Sequence, residues 1–426
     1  MAYDEEEDDV VEDEEDGEFV LNEEDMIVIN DDDEYIPTGG GDDDGEEDEA
    51  LEGEEAEDVV DESIHVFTGH GKQPVYAVAA AHKSDTLASG GGDDRAFVWT
   101  PQQSKGTVLG KHEDSVVAVS FSSDDSWVAS AGMDGVIHVR QVATQKELTL
   151  DGPGADIEWI AWHPKHLVLL GGSADTTVWM WNVAEGGMIM GVFAGHTDSV
   201  TCGAFTPNGR RVITGSMDGS LKLWEPNGTS LIHTFSGHQF HQGGIVSMAT
   251  KTEGDPLVAT GGSDGSVCLI RLDTKKILAK FQHGEPNAQP KRDRYDDDEE
   301  VEDQEEEEEG CSVETVAFCP TLPWLVSGGT DGRVVVWDLS VQAKRSVLMH
   351  PDSEAVVRCL FLPQSVHLIT ACADGKVRKW DVRASQMEKA LTGHQDAILD
   401  MALLHDGKRV VTASDDGTCR IFQVVA

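Results

Sequence analysis

Along residues 200–225, apolar and polar side chains alternate through three short runs, VTCGAF, RRVITG and SLKLWE. A period of two sends successive side chains to opposite faces of a strand. The runs are separated by PNG and MDG, where Asn and Gly tolerate the positive φ values of tight hairpins. A fourth run, LIHTFSG, follows. The pattern predicts four short antiparallel strands, too few to bury a face alone but sufficient as one blade of a ring.

The turn after the second strand recurs eight times, as SGGGDD, SAGMDG, GGSADT, TGSMDG, TGGSDG, SGGTDG, TACADG and TASDDG. Its aspartates are Asp93, Asp134, Asp175, Asp218, Asp264, Asp331, Asp374 and Asp416, at intervals of 41, 41, 43, 46, 67, 43 and 42 residues. A repeat of this length, built from strands, predicts an all-β ring of eight blades. The long interval holds an inserted acidic stretch, 284–310. The ends of the repeat region complement each other. Residues 62–70, ESIHVFTGH, read as an outer strand without its own first three, and the chain finishes on RIFQVV, a third strand without a fourth. Pairing them closes the ring and leaves no open sheet edge.

These units resemble the WD-repeat β-propeller. Its marks are the pairs Gly69-His70, Gly195-His196, Gly237-His238 and Gly393-His394, with Trp337-Asp338 and Trp380-Asp381 at third-strand ends. The resemblance implies a buried polar relay in each blade: His70, Ser89, Asp93 and Trp99 in the first, His196, Thr214, Asp218 and Trp224 in the fourth. Other units are imperfect. Unit two has His112, Ser130 and Asp134 but ends in Arg140; unit three has GPGADI in place of Gly-His; unit five is read as His238, Thr260 and Asp264 with Ile270 in the tryptophan position; unit seven places Asp352 in the histidine position; unit eight closes with Phe422. Recurrence once per blade makes the relay a scaffold device and not a repeated active site.

The net charge of −50 is concentrated in two places. Residues 1–63 contain 33 acidic side chains and no Lys or Arg, and residues 284–310 contain 14 acids against 3 bases. The remainder, with 34 acids and 28 bases, is only mildly acidic. Residues 1–61 are therefore read as a disordered acidic leader and the insertion as a solvated loop, with 62–426 as the propeller. The leader's apolar islands (Phe19-Val20-Leu21, Met26-Ile27-Val28-Ile29, Tyr35-Ile36) are compatible with docking motifs or plain tail. Acid of this density repels phosphate backbones, so no direct nucleic-acid partner is expected, and a basic protein partner is. No stretch has the length of a membrane span, and the N-terminus lacks a signal-peptide core. Seven scattered cysteines fit reduced thiols of the cytoplasm, with the nucleus also open.

Catalytic chemistry has no foothold in the motifs. Gly39-Gly40-Gly41 has no Lys-Ser/Thr after it to hold phosphate, no nucleophile elbow or HExxH is present, and Cys311 and Cys319 lack a CxxC partner. No enzyme activity, cofactor or metal is expected. Candidate binding residues lie instead where chain segments reach the rim that carries the Gly-His loops: Glu113, Asp156, Glu158, Trp159, Glu314, Glu354 and Asp415. Trp159 also fits core packing, and Trp162 is expected between blades.

Three segments narrow the resemblance: VFTGHGKQPVYAVAAAHKSDTLASGGGDDRAFVW, the acidic loop before CSVETVAFCP, and VVVWDLS. With the acidic leader they are similar to the angio-associated migratory cell protein family, over residues 62–426. The resemblance implies a dedicated chaperone that captures a newly made large-subunit ribosomal protein, L-ten (bacterial L-sixteen type), through its basic N-terminal segment. Animal members are linked to cell migration and surface glycosaminoglycan; here no Lys or Arg precedes Lys72, a departure from a polyanion-binding leader. Two other readings stay open, an adaptor in a signalling or ubiquitin-ligase complex and an acidic histone chaperone. A closed ring needs no second chain, so a monomer is expected.

Overall fold

The computed structural model describes residues 60–103, 105–251, 254, 256–284, 311–351 and 353–425. The expectations of a disordered leader and a solvated insertion fall on residues outside those described. Among the described residues, the chain forms eight four-stranded antiparallel sheets and no helix. Seven sheets use four consecutive strands. The eighth joins Ile398–Leu403, Arg409–Ser414 and Cys419–Gln423 to His65–Phe67, with His65 opposite Ile421 and Phe67 opposite Cys419. The all-β eight-bladed propeller and its closing strand are as the repeat predicts.

The inner strands are Val75–Ala80, Val116–Phe121, Ile157–Trp162, Cys202–Phe205, Ile245–Thr250, Thr315–Phe318, Val356–Phe361 and Ile398–Leu403. Each touches the next, and the last returns to the first. The core lies between blades, because the blade faces are apolar and no single blade covers its own. Trp159, Leu170, Val178, Met180 and Phe193 of blade three pack on Phe205, Val212 and Trp224 of blade four. Each such buried side chain contributes about 1.5–3 kcal/mol. Trp162 bridges blades as expected, donating its indole N–H to Ser120 O at 3.2 Å. The closing seam is aromatic: Phe67 stacks on Trp99 with centroids 4.5 Å apart. Contacts across that seam begin slightly before Glu62. Thr392 Oγ1 donates to Val60 O at 2.6 Å, and Asp61 pairs with Arg420.

The relays hold the turns to the sheets. In blade four, Trp224 Nε1 donates to Thr214 Oγ1 at 2.9 Å, that hydroxyl meets His196 Nε2 at 2.7 Å, and His196 Nδ1 meets Asp218 at 2.9 Å. Asp218 also accepts Ser220 Oγ–H and the Thr197 N–H, tying two loops to one carboxylate. Blade one repeats the chain through Trp99, Ser89, His70 and Asp93. Two assignments from the sequence need correction. In blade five the relay histidine is His241, whose Nε2 lies 2.7 Å from Thr260 Oγ1, while His238 is exposed. The preceding loop makes a turn at Gly237 and buries Phe240 before the chain enters the relay, which shifts it by three residues. In blade seven the histidine is His350, 2.9 Å from Cys372 Sγ, and Asp374 pairs with the buried Arg378. Asp352 lies outside the described residues. Blade three lacks the relay, with Trp181 Nε1 donating to Asp151 O at 2.8 Å instead. Arg140 fills the tryptophan position of blade two and donates to Val108 O at 2.6 Å.

Asp218→Ala leaves the buried His196 and Ser220 short of a partner, and the expected cost is about 1–3 kcal/mol, read from the chemical-denaturation midpoint. An unshifted midpoint would show that the relay does not hold the blade.

Stability should fall on acidification in two stages. Burial drives His65, His112 and His163 below the usual imidazole range. Below about pH 6.5 the unfolded chain takes up protons that these rings refuse, which favours unfolding. Burial alone would raise Asp218, Asp264 and Asp416, but hydrogen bonds from the relay histidines and neighbouring hydroxyl and N–H groups outweigh it and hold all three well below the carboxylate range. Their contribution is complete above about pH 4 and is lost as pH falls further. Denaturation midpoints measured between pH 8 and pH 2 should show both declines; a midpoint that rises on acidification contradicts these assignments.

The seven cysteines form no disulfide, and five are buried. Burial pushes the Cys202, Cys268 and Cys372 thiols up to about 12, which leaves them unreactive.

Candidate binding site at the channel mouth

In a four-stranded antiparallel blade, the turn between second and third strands and the entry to the inner strand share one end. That end carries the relay loops and the eight inner-strand starts. Each inner strand enters past a residue with no exposed surface: Val75, Val116, Ile157, Val200, Ile245, Val313, Val356 and Ile398. The following position is where the sheet register breaks. Bulges fall between Val75 and Ala77, Val116 and Ala118, Ile157 and Trp159, Ile245 and Ser247, Val356 and Arg358, and Ile398 and Asp400. In blades four and six, Thr201 and Glu314 hold the same place just before the strand. A bulge releases its extra residue from the ladder and re-aims its side chain. The mouth is thereby ringed by Tyr76, Val117, Glu158, Thr201, Val246, Glu314, Val357 and Leu399, none of them buried. It is an apolar rim interrupted by two carboxylates.

The charges around this rim are unevenly paired. Glu113, Glu158, Glu354 and Asp415 are exposed, and Asp156 and Glu314 half-buried. Glu158 accepts the Ser199 hydroxyl at 3.2 Å, and Glu113 lends its backbone N–H to Asp134 at 2.9 Å. Neither they nor Asp156 and Glu354 enter an ion pair among the described residues. On the far side, Arg358 Nε donates to Asp400 Oδ1 at 2.9 Å, and Asp400 Oδ2 accepts the Val78 N–H at 3.0 Å. Asp400, with Glu314 adding to it, holds the Arg358 guanidinium more firmly charged than usual against the burial that opposes it. Glu314 therefore has a cation beside it, whereas the arc from Glu113 through Asp156 to Glu158 has none.

Trp159 does not belong to this surface. It is 9% exposed, donates Nε1–H to Val200 O at 2.8 Å, and lies flat against Gly172 and Gly203, where any Cβ would collide with its ring. The core-packing alternative is the correct one, because both glycines leave an indole-sized gap between blades three and four. The sequence reading missed Tyr76, Arg358 and Asp400, which the bulges and the closing seam bring to the mouth. Their signal was one of alignment: each stands one or two residues after the apolar entry position.

The mouth contains no set of three metal donors among the described residues. The two such sets lie in the blade-six relay and on blade seven. A separate cleft lies away from the mouth. About 580 Å³ opens at the other end of blades four and five, edged by Arg211, Lys251 and Lys275 over Leu223, Ile232 and Leu272. Its mixed edge, three basic side chains with Asp273, sets it apart from the acidic rim.

The WD domain, G-beta repeat family model matches eight segments, 61–100, 103–140, 144–182, 187–225, 229–271, 306–338, 344–381 and 385–423, one for each blade. The angio-associated migratory cell protein of Canis lupus familiaris is 35% identical over 368 residues, covering 85% of this chain and 80% of that protein. The chain belongs to the angio-associated migratory cell protein family. Within the same kinship, the ribosome assembly protein SQT1 of Saccharomyces cerevisiae is 24% identical over 408 residues, covering 86% of this chain and 88% of that protein. A structure of Chaetomium thermophilum Sqt1 bound to the N-terminus of ribosomal protein L10 shares the fold, with a TM-score of 0.72 and 24% identity, over 85% of this chain and all of that one. This family member is thus a WD-repeat propeller akin to a ribosome assembly factor.

Proposed function

We propose that the propeller is a non-enzymatic chaperone that captures a newly made, basic large-subunit ribosomal protein of the L10 type by its N-terminal segment. The unpaired acidic arc of Glu113, Asp156 and Glu158 beside an apolar, bulge-built mouth carries this reading. An extended basic peptide would place cationic side chains on the arc and apolar ones on Tyr76, Val117 and Val246. Charge of this sign accelerates encounter and fixes orientation, while the apolar ring supplies contact area. Kinship with a ribosome assembly protein, and the peptide seen on the Chaetomium propeller, support the same client class. An unassembled ribosomal protein is basic and lacks its RNA, so an acidic surface stands in for missing phosphate.

The test is affinity capture of newly made proteins from translating extract, at about 0.15 M salt and at several-fold higher salt. The expected result is one near-stoichiometric ribosomal protein, without the rest of the subunit, whose capture weakens with salt. Recovery of ligase or signalling components that resist salt makes the propeller an adaptor. Preferential recovery of core histones makes it a histone carrier.

A further inference from the structure

Blade six departs from the other relays. In blades one, two, four, five and eight the histidine turns Nδ1 to the aspartate and Nε2 to the hydroxyl. His283 is reversed, with Nδ1 2.7 Å from Ser327 Oγ, which also accepts the Trp337 indole N–H at 2.8 Å. Its Nε2 faces Asp331 Oδ1 at 3.3 Å without the geometry of a hydrogen bond. The ring is 1% exposed, so that nitrogen is a buried polar atom without a hydrogen-bond partner. Cys311 adds a third donor, and its Sγ, His283 Nε2 and an Asp331 oxygen lie within 4.8 Å of one another. The space among them is left free by Gly329: a Cβ there would stand 2.9 Å from the sulfur, 2.9 Å from Nε2 and 3.0 Å from the carboxylate oxygen. The matching glycines of blades one, two and five, Gly91, Gly132 and Gly262, face the relay histidine and no sulfur.

We propose that His283, Cys311 and Asp331 bind a single divalent transition metal of the zinc class. One imidazole, one thiolate and one carboxylate make a donor set that suits zinc and not calcium or magnesium. Tetrahedral metal–ligand distances of about 2.0–2.3 Å place donor atoms about 3.3–3.8 Å apart, so donors within 4.8 Å of one another need to close by no more than about 1.5 Å. Ser327 accepts from Nδ1–H and so fixes the ring with its Nε2 lone pair on the metal. The Cys311 thiol releases its proton to solvent as the metal–sulfur bond forms, and water or another carboxylate completes the tetrahedron. Cysteine spacing hid the site, since one ligand stands on each side of the insertion and the third on a turn 20 residues beyond Cys311. A bound ion would tie His283 to Cys311, which lie 28 residues apart in sequence on either side of the acidic insertion. The second cluster, His367, Asp381 and Glu388, already has the Lys379 ammonium 2.8 Å from Glu388, whereas the nearest cation to Asp331, Arg333 Nε, stands back at 3.7 Å on the other carboxylate oxygen.

The test uses the full-length protein, reduced and stripped with chelator, then titrated with cobalt(II) while thiolate-to-cobalt charge-transfer and d–d absorption are recorded. One equivalent should develop both bands, with zinc displacing the cobalt. Cys311→Ser, at a half-buried position outside the Trp–Ser–His chain, should keep the fold by circular dichroism and lose the charge-transfer band. Asp331→Asn should weaken zinc binding at least about tenfold. Cobalt taken up with no sulfur band, or a band unchanged in Cys311→Ser, would mean that the acidic segments alone bind cations and that the cluster is a structural relay only.

Discussion

Replacing Glu113, Asp156, Glu158, Glu314 and Glu354 together with lysine is expected to abolish capture of the basic client segment while leaving the propeller folded. Each exposed carboxylate within about 4 Å of a cation contributes on the order of 1 kcal/mol, rising toward about 4 kcal/mol where the surface lowers the dielectric. Turning five attractions into repulsions should raise the Kd for a basic N-terminal peptide at least about a hundredfold, with most of the early loss in the association rate. Titration by fluorescence anisotropy at two salt concentrations measures it, with the melting curve as the control for folding. The substituted side chains are on the rim and outside the relays, and the Glu113 N–H that meets Asp134 is backbone and is kept, so a collapsed melting curve is not expected. An unchanged Kd would remove the mouth as the site and direct attention to the opposite end of the ring. Within the set, Glu158→Lys alone should cost more than Glu314→Lys, because Glu314 already has Arg358 nearby.

The second large effect concerns stability. A chain beginning at Thr68 lacks the strand His65–Phe67 and should lose cooperative folding or be destabilised severely, whereas one beginning at Val60 should melt as the full chain does. The lost strand leaves Cys419–Gln423 with an unpaired edge and removes the Phe67 ring from its stack on Trp99. A buried phenylalanine alone is worth about 3–5 kcal/mol, and the open edge invites pairing between chains. Scanning calorimetry of the three chains decides it. Equal melting temperatures for the Thr68 and Val60 chains would show that the eighth blade closes without its fourth strand.

The architecture was legible because its information is local and repeated. Each aspartate turn, with the apolar alternation on either side, specifies one blade almost by itself, and eight copies specify the ring. The unmatched strands at the two ends supplied the closure. What failed to read out depended on choices between neighbours. GHQFH offers two histidines, and only the apolar pocket that takes Phe240 selects His241 over His238. Unit seven writes His-Pro-Asp where Gly-His was sought, so His350 was passed over. The rim acids were legible as rim acids from strand phase, but the bulges that turn Tyr76 and Glu158 to the mouth are decided by the ladder of the whole sheet. Trp159 showed the limit most clearly, since its role rests on the absent side chains of Gly172 and Gly203, on two different blades.

The seam that closes the ring also sets a clock on its synthesis. Asp61 and Arg420, which meet across it, are 359 residues apart in sequence. At a ribosomal rate of about 5–20 residues per second, the early strand waits about 20–70 s for its partner to be made. During that interval Phe67 and the face of Trp99 have no final cover, while seven blades can already stack one upon the next. The last event in folding is then the docking of the oldest segment of the propeller onto the youngest, and any pause in translation between the two prolongs the exposure of that aromatic seam by its full length.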